Sequence, residues 1–194
     1  MFDAQNHFPE ESFIATIDSV HPWGEGQYLD SYLIQGFWTD FTSTYDSWLT
    51  VISPGSGRRA QQQFSFAAYS LDGGNTLHYD IRTWDPSWRT SHNKSLLISR
   101  NGYVGFYTPP ASMDKLWTLS PGCNKAALAK GLATLLFAPD GQPLRRYFVA
   151  RTSVEGSGDT YLNSQVSEQE QDALLVTLEV RDVPQSATLA LLRR

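Results

Sequence analysis

Short runs rich in apolar, β-branched and aromatic residues recur along this chain, some with the period of two of a strand with one buried face, and Gly, Pro, Asn and Asp cut them at short intervals. "ESFIATIDSV" predicts a first strand, closed by the turn His21-Pro22-Trp23-Gly24. "YLDSYLIQGFW" and "SWLTVIS" predict two more, the latter stopped at Pro54-Gly55-Ser56-Gly57. In "QQQFSFAAYSLDGGNTLHYDIRTW", Phe64, Phe66 and Ala68 share one face, and Leu77, Tyr79 and Ile81 share a face on the return strand. Asp72-Gly73-Gly74-Asn75 between them supplies left-handed turn positions, so the segment predicts a hairpin.

A second hairpin is predicted from "SLLISRNGYVGFY", with Asn101-Gly102 as a two-residue turn and Tyr103 to Tyr107 returning. Pro109-Pro110 then breaks the ladder, so that the chain crosses to another sheet. "LATLLFAPDGQPLRRYFVART" predicts a third hairpin, turning at Pro139-Asp140-Gly141. "ALLVTLEVRDV" and "SATLALL" predict two closing strands split by Pro184. One short helix is expected from about Asn124, its cap, to Lys130, where Gly131 ends it. "SQVSEQEQDA" reads as a helical turn or a loop. The pattern as a whole predicts a mainly β fold: an antiparallel sandwich, jelly roll or barrel of nine or ten strands, in one all-β domain over 1–194. Hairpins recurring at a spacing of roughly 40 residues raise a β-trefoil as the alternative, although no repeated Trp-bearing motif lines up.

Composition changes the picture in three ways. Six Trp, nine Tyr and ten Phe exceed what an ordinary core of this size calls for, and amphipathic rings also serve binding surfaces. A net charge of −5, with basic pairs only at Arg58-Arg59, Arg145-Arg146 and Arg193-Arg194, argues against nucleic acid as a partner. Cys123 is the sole cysteine, so no internal disulfide forms and no zinc-ligand spacing is present. "MFDAQNHFPEESF" has neither the basic nor the apolar region of a signal peptide, and no run approaches the ~20 apolar residues of a membrane span. The expectation is a soluble protein, cytoplasmic, virion-associated or released by a route other than the Sec pathway.

The stretch "LLISRNGYVGFYTPPASMDKLWTL" resembles a motif near the distal ends of phage tail-fibre and related trimeric adhesin proteins. The matching residues are Leu97-Ile98, Asn101-Gly102, Val104-Gly105, Thr108-Pro109-Pro110 and Lys115-Leu116, about 25 of the 194 residues. Phe106-Tyr107 and Trp117 depart from it, being larger than the residues usual there. The resemblance implies a β-rich receptor-binding or surface-recognition module, of a kind that forms trimers, and implies nothing about catalysis. The same hairpin is similar to one leaf of a fascin- or ricin-like trefoil, whose members bind surfaces or sugars.

Candidate chemistry is densest in "HYDIRTWDPSWRTSHN". His78 and Asp80 share a strand face, as two metal ligands would, with His92 as a third; the plainer reading is a polar pair facing water. Trp84, Asp85, Trp88, Arg89, His92 and Asn93, with Trp23 from the first turn, are the ingredients of sugar recognition. An aromatic face stacks on a pyranose while polar groups hold its hydroxyls. The competing reading is that the Trp rings plug the end of the barrel or sandwich. The same pattern recurs more weakly at His21 and Tyr28, and at Trp38, Tyr45 and Trp48.

Catalysis has less support. Gly156-Ser157-Gly158-Asp159 is not a nucleophile elbow. Cys123 is read as a small buried hydrophobe ahead of an activated thiol. Asp80, Asp85 and Glu25 have no spacing that brings carboxylates together. No cofactor is implied. The reading is a non-catalytic recognition module for carbohydrate or a cell-surface glycan or receptor, with a β-scaffold glycan hydrolase and a structural or subunit-interaction protein as alternatives. Homo-oligomers are expected, because strand edges and surplus aromatics need covering.

Overall fold

Phe13 and Phe66 face each other across paired strands and stack, ring centroids 4.6 Å apart. They mark the centre of a mainly antiparallel β structure. The computed structural model describes residues 6–20, 28–32, 48–53, 62–87, 90–91, 94–100, 102, 104–110, 112–153, 160–165 and 173–183. Within them the strands are β1 Phe13–Ser19, β2 Tyr28–Tyr32, β3 Trp48–Ser53, β4 Gln63–Tyr69, β5 His78–Asp85, β6 Thr90–Ser91 and β7 Ser95–Ile98. They continue with β8 Val104–Tyr107, β9 Thr118–Leu119, β10 Leu136–Phe137, β11 Arg145–Ser153, β12 Thr160–Gln165 and β13 Val176–Asp182. Thirteen strands therefore stand where nine or ten were expected, because tertiary pairing creates the two-residue strands β6, β9 and β10.

The larger sheet runs β11-β12-β3-β2-β1-β4-β5-β6. β1 gives its whole length to β13 and divides its other edge, Phe13 to Ala15 pairing with β4 and Ile17 and Asp18 with β2. Alternation then sorts the side chains. Phe13, Ala15 and Ile17 of β1, Phe64, Phe66 and Ala68 of β4, and Tyr79 and Ile81 of β5 enter one core, as their spacing predicts. Leu96, Val104 and Phe106 of the β7–β8 hairpin close it, the Phe106 ring lying parallel to Phe64 at 6.1 Å.

The opposite face of the same strands is covered too. Ile14 packs with Trp84 and Val183, while Ala67 and Tyr69 pack with Leu116 and Met113.

The β7–β8 hairpin corrects one expectation. Ile98 pairs with Val104, so 99–103 form the connection rather than a two-residue Asn-Gly loop. The Gly102 N–H donates to the Ser99 carbonyl at 3.0 Å, and its φ of +82° is the left-handed backbone that asks for glycine. Thr108-Pro109-Pro110 does end the ladder, and the chain next pairs beside β5 and enters the small β9–β10 sheet.

The helix α1, Lys125–Leu128, is shorter than expected. Asn124 caps it by accepting from the Ala127 N–H at 2.9 Å, and Gly131, φ +84°, lies just beyond it. The turn at Pro139-Asp140-Gly141 is present, with the Gly141 N–H donating to the Ala138 carbonyl at 2.9 Å. The strand expected after Pro184 lies outside the described residues. No described helix is long and apolar enough to cross a membrane.

Candidate functional site

At the start of β5 the chain opens a groove. Tyr79 and Trp117 form a single antiparallel bridge, after which β9 pairs with β10 instead of continuing along β5. The two segments diverge, and a cavity of about 500 Å³ lies between residues 74–77 and 79 on one side and 118–124 on the other.

Both walls are held from within. Ser70 Oγ accepts from the Gly74 N–H at 2.9 Å and donates to Asp72 Oδ1 at 2.7 Å. Asp72 also accepts from the Thr76 N–H, and these hydrogen bonds, the one from Ser70 foremost, hold its carboxyl down at about 2. On the other wall the Cys123 N–H donates to the Ser120 carbonyl at 3.0 Å, and Ser120 Oγ accepts from the Leu135 N–H at 3.0 Å. The described lining carries no charged side chain; it offers amides, hydroxyls and the Cys123 thiol over Leu77, Leu119 and Tyr79. Tyr79 is 1% exposed, its hydroxyl has no hydrogen-bond partner, and burial, with Glu11 and Cys123 nearby, pushes its phenol pKa well up.

A smaller pocket of about 300 Å³ sits under the β7–β8 hairpin, with Pro110, Pro139 and Trp117 as walls and Lys115 and Asp140 in its lining.

The aromatic cluster read from the sequence divides. Trp84 is 3% exposed and packed on Ile14 and Val183 on the second face of β5. Asp85 is half-buried and accepts from the Ser87 N–H at 2.8 Å. Asp85 pairs with Thr90 of β6. Trp88, Arg89, His92 and Asn93, like Trp23, His21, Trp38 and Tyr45, lie outside the described residues. Tyr28 and Trp48 are placed in β2 and β3 by backbone alone.

Asp80 does not pair with His78 towards water. It is 2% exposed and bound by Arg82, whose terminal nitrogen lies 2.6 Å and Nε 2.8 Å from Oδ2. Among the described residues no group of three or more His, Cys, Asp or Glu side chains is placed to hold a metal ion. Asp80 and Asp85, an odd number of positions apart on β5, point to opposite faces and do not form a carboxylate pair. Glu25 lies outside the described residues.

Sequence reasoning missed the groove because the Tyr79–Trp117 pairing that creates it joins distant segments. The available signals were the two glycine turns, Gly73-Gly74 and Gly122, that end on its walls. Comparison with protein-family models, with curated proteins and with solved structures finds no match to this chain.

Proposed function

We propose that this chain is a non-catalytic recognition module that binds carbohydrate, a cell-surface glycan foremost, in the groove between residues 74–79 and 118–124. The observation that carries this reading is the lining: uncharged, with amide and hydroxyl groups set over apolar side chains in about 500 Å³. Neutral donors and acceptors suit a ligand made of hydroxyls and C–H faces, whereas a charged substrate would call for a countercharge. The resemblance of residues 94–119 to adhesin hairpins supports the same class of function and a homo-oligomeric state, which light scattering at micromolar concentration checks: a 21.8 kDa species throughout would contradict self-association.

The residues Trp88, Arg89, His92 and Asn93, which follow Asp85 in the sequence, are a second candidate contact. A glycan array probed with the native chain, Thr118→Val and Trp88→Ala separates the two. Loss of binding in Thr118→Val alone supports the groove, and loss in Trp88→Ala alone moves the site to the Trp88 cluster. An array with no retained glycan overturns the carbohydrate reading.

A further inference from the structure

The Tyr79 hydroxyl is enclosed and unanswered at the floor of the groove. Buried hydroxyls are nearly always hydrogen-bonded, and one left without a partner destabilises the fold; a phenylalanine would fill the same space without that loss. Glu11, which accepts the Lys125 N–H at 3.0 Å, and Cys123, half-buried on the groove wall, act electrostatically on the phenol. Neither is bonded to it. Tyr79 thus combines an unanswered phenolic donor with a place in the lining of the groove.

We propose that Tyr79 is the specificity-determining residue of the groove, its hydroxyl donating to one hydroxyl of a neutral sugar or polyol. This rests on the recognition reading above and deepens it. A ligand hydroxyl accepts from Tyr79 and keeps its own proton for a second acceptor. An ammonium cannot accept from Tyr79, and the uncharged lining gives a carboxylate no countercharge. Cys123 lines the same groove and packs against the core as a partly buried residue.

The test follows the Tyr79 ring signal by NMR in protein labelled at the tyrosine Cζ. Glycerol, glucose, galactose, mannose and N-acetylglucosamine are titrated into the native chain and into Tyr79→Phe. At least one sugar is expected to shift the Tyr79 signal saturably and to bind Tyr79→Phe about tenfold more weakly, the loss of one hydrogen bond. The unliganded variant is expected to melt no lower than the native chain. A sugar that binds both forms alike overturns the inference and leaves the recognition reading standing. A panel in which no sugar shifts any signal overturns both. A variant that melts well below the native chain, or fails to fold, makes the hydroxyl structural and also overturns the inference.

Discussion

Tyr79 and Trp117 exchange both of their backbone hydrogen bonds, the Tyr79 N–H donating to the Trp117 carbonyl at 2.7 Å and the Trp117 N–H to the Tyr79 carbonyl at 3.2 Å. This one bridge ties the segment after the double proline to the start of β5. The indole of Trp117, 1% exposed, ties it again by donating from Nε1 to the Leu96 carbonyl at 2.7 Å.

Trp117→Phe should therefore cost about 2–4 kcal/mol, from the unanswered Leu96 carbonyl and the volume lost. Urea denaturation with an unchanged slope measures it. A cost within about 0.5 kcal/mol, the range of an ordinary surface substitution, would mean that the indole is not an anchor.

The Asp80–Arg82 pair is buried, with side chains 1% and 12% exposed. Arg82→Met strands the carboxylate and should cost about 3–5 kcal/mol, whereas the double change Asp80→Asn with Arg82→Met should cost less than the single one. A double-mutant cycle reads the difference; strictly additive costs would show the pair to be uncoupled. The carboxylate also contributes, after burial, to holding the Tyr69 phenol up at about 12.

His7 is buried against Tyr69, the rings 5.3 Å apart, and its Nε2 lies 3.3 Å from Ser12 Oγ. Burial lowers its pKa below 6.5, against a smaller opposing effect of Glu10. The unfolded chain then binds the proton more readily than the folded one between the folded pKa and 6.5. This contribution to stability is complete above pH 6.5 and declines as the pH falls below it. Denaturation midpoints from pH 7.5 to 5 should drop in the native chain and drop less in His7→Gln. Parallel profiles would remove His7 as the cause.

Gly102→Val should cost about 2 kcal/mol, because a β-branched residue is forced to φ +82°. Ala at the same position should cost less than Val. A loss below about 0.5 kcal/mol for Val would show that the 99–103 connection relaxes to another turn.

Much of the architecture was legible in local pattern. Period two placed Phe64, Phe66, Ala68, Tyr79 and Ile81 in one core, and glycine and proline placed the turns at 72–75 and 139–141. Asn124 announced the helix. The candidate site was read less well. Trp84 carries the same signal whether it stacks on a sugar or plugs a sheet, since alternation states which residues share a face and not what covers that face.

Taken alone, the sequence determined strand, turn and the identity of each face, because these follow from near neighbours: side-chain alternation, left-handed glycines and proline's fixed backbone. Tertiary structure alone decided that Ile14, Trp84 and Val183 meet on the second face and that Trp117 bridges Tyr79. Those outcomes depend on contacts between segments far apart in the chain, where burial and pairing choose among partners that local periodicity leaves equivalent. The groove belongs to the same class: it exists because β9 leaves β5 for β10 after a single bridge, a choice made by the Leu119–Leu136 pairing and written in neither strand by itself.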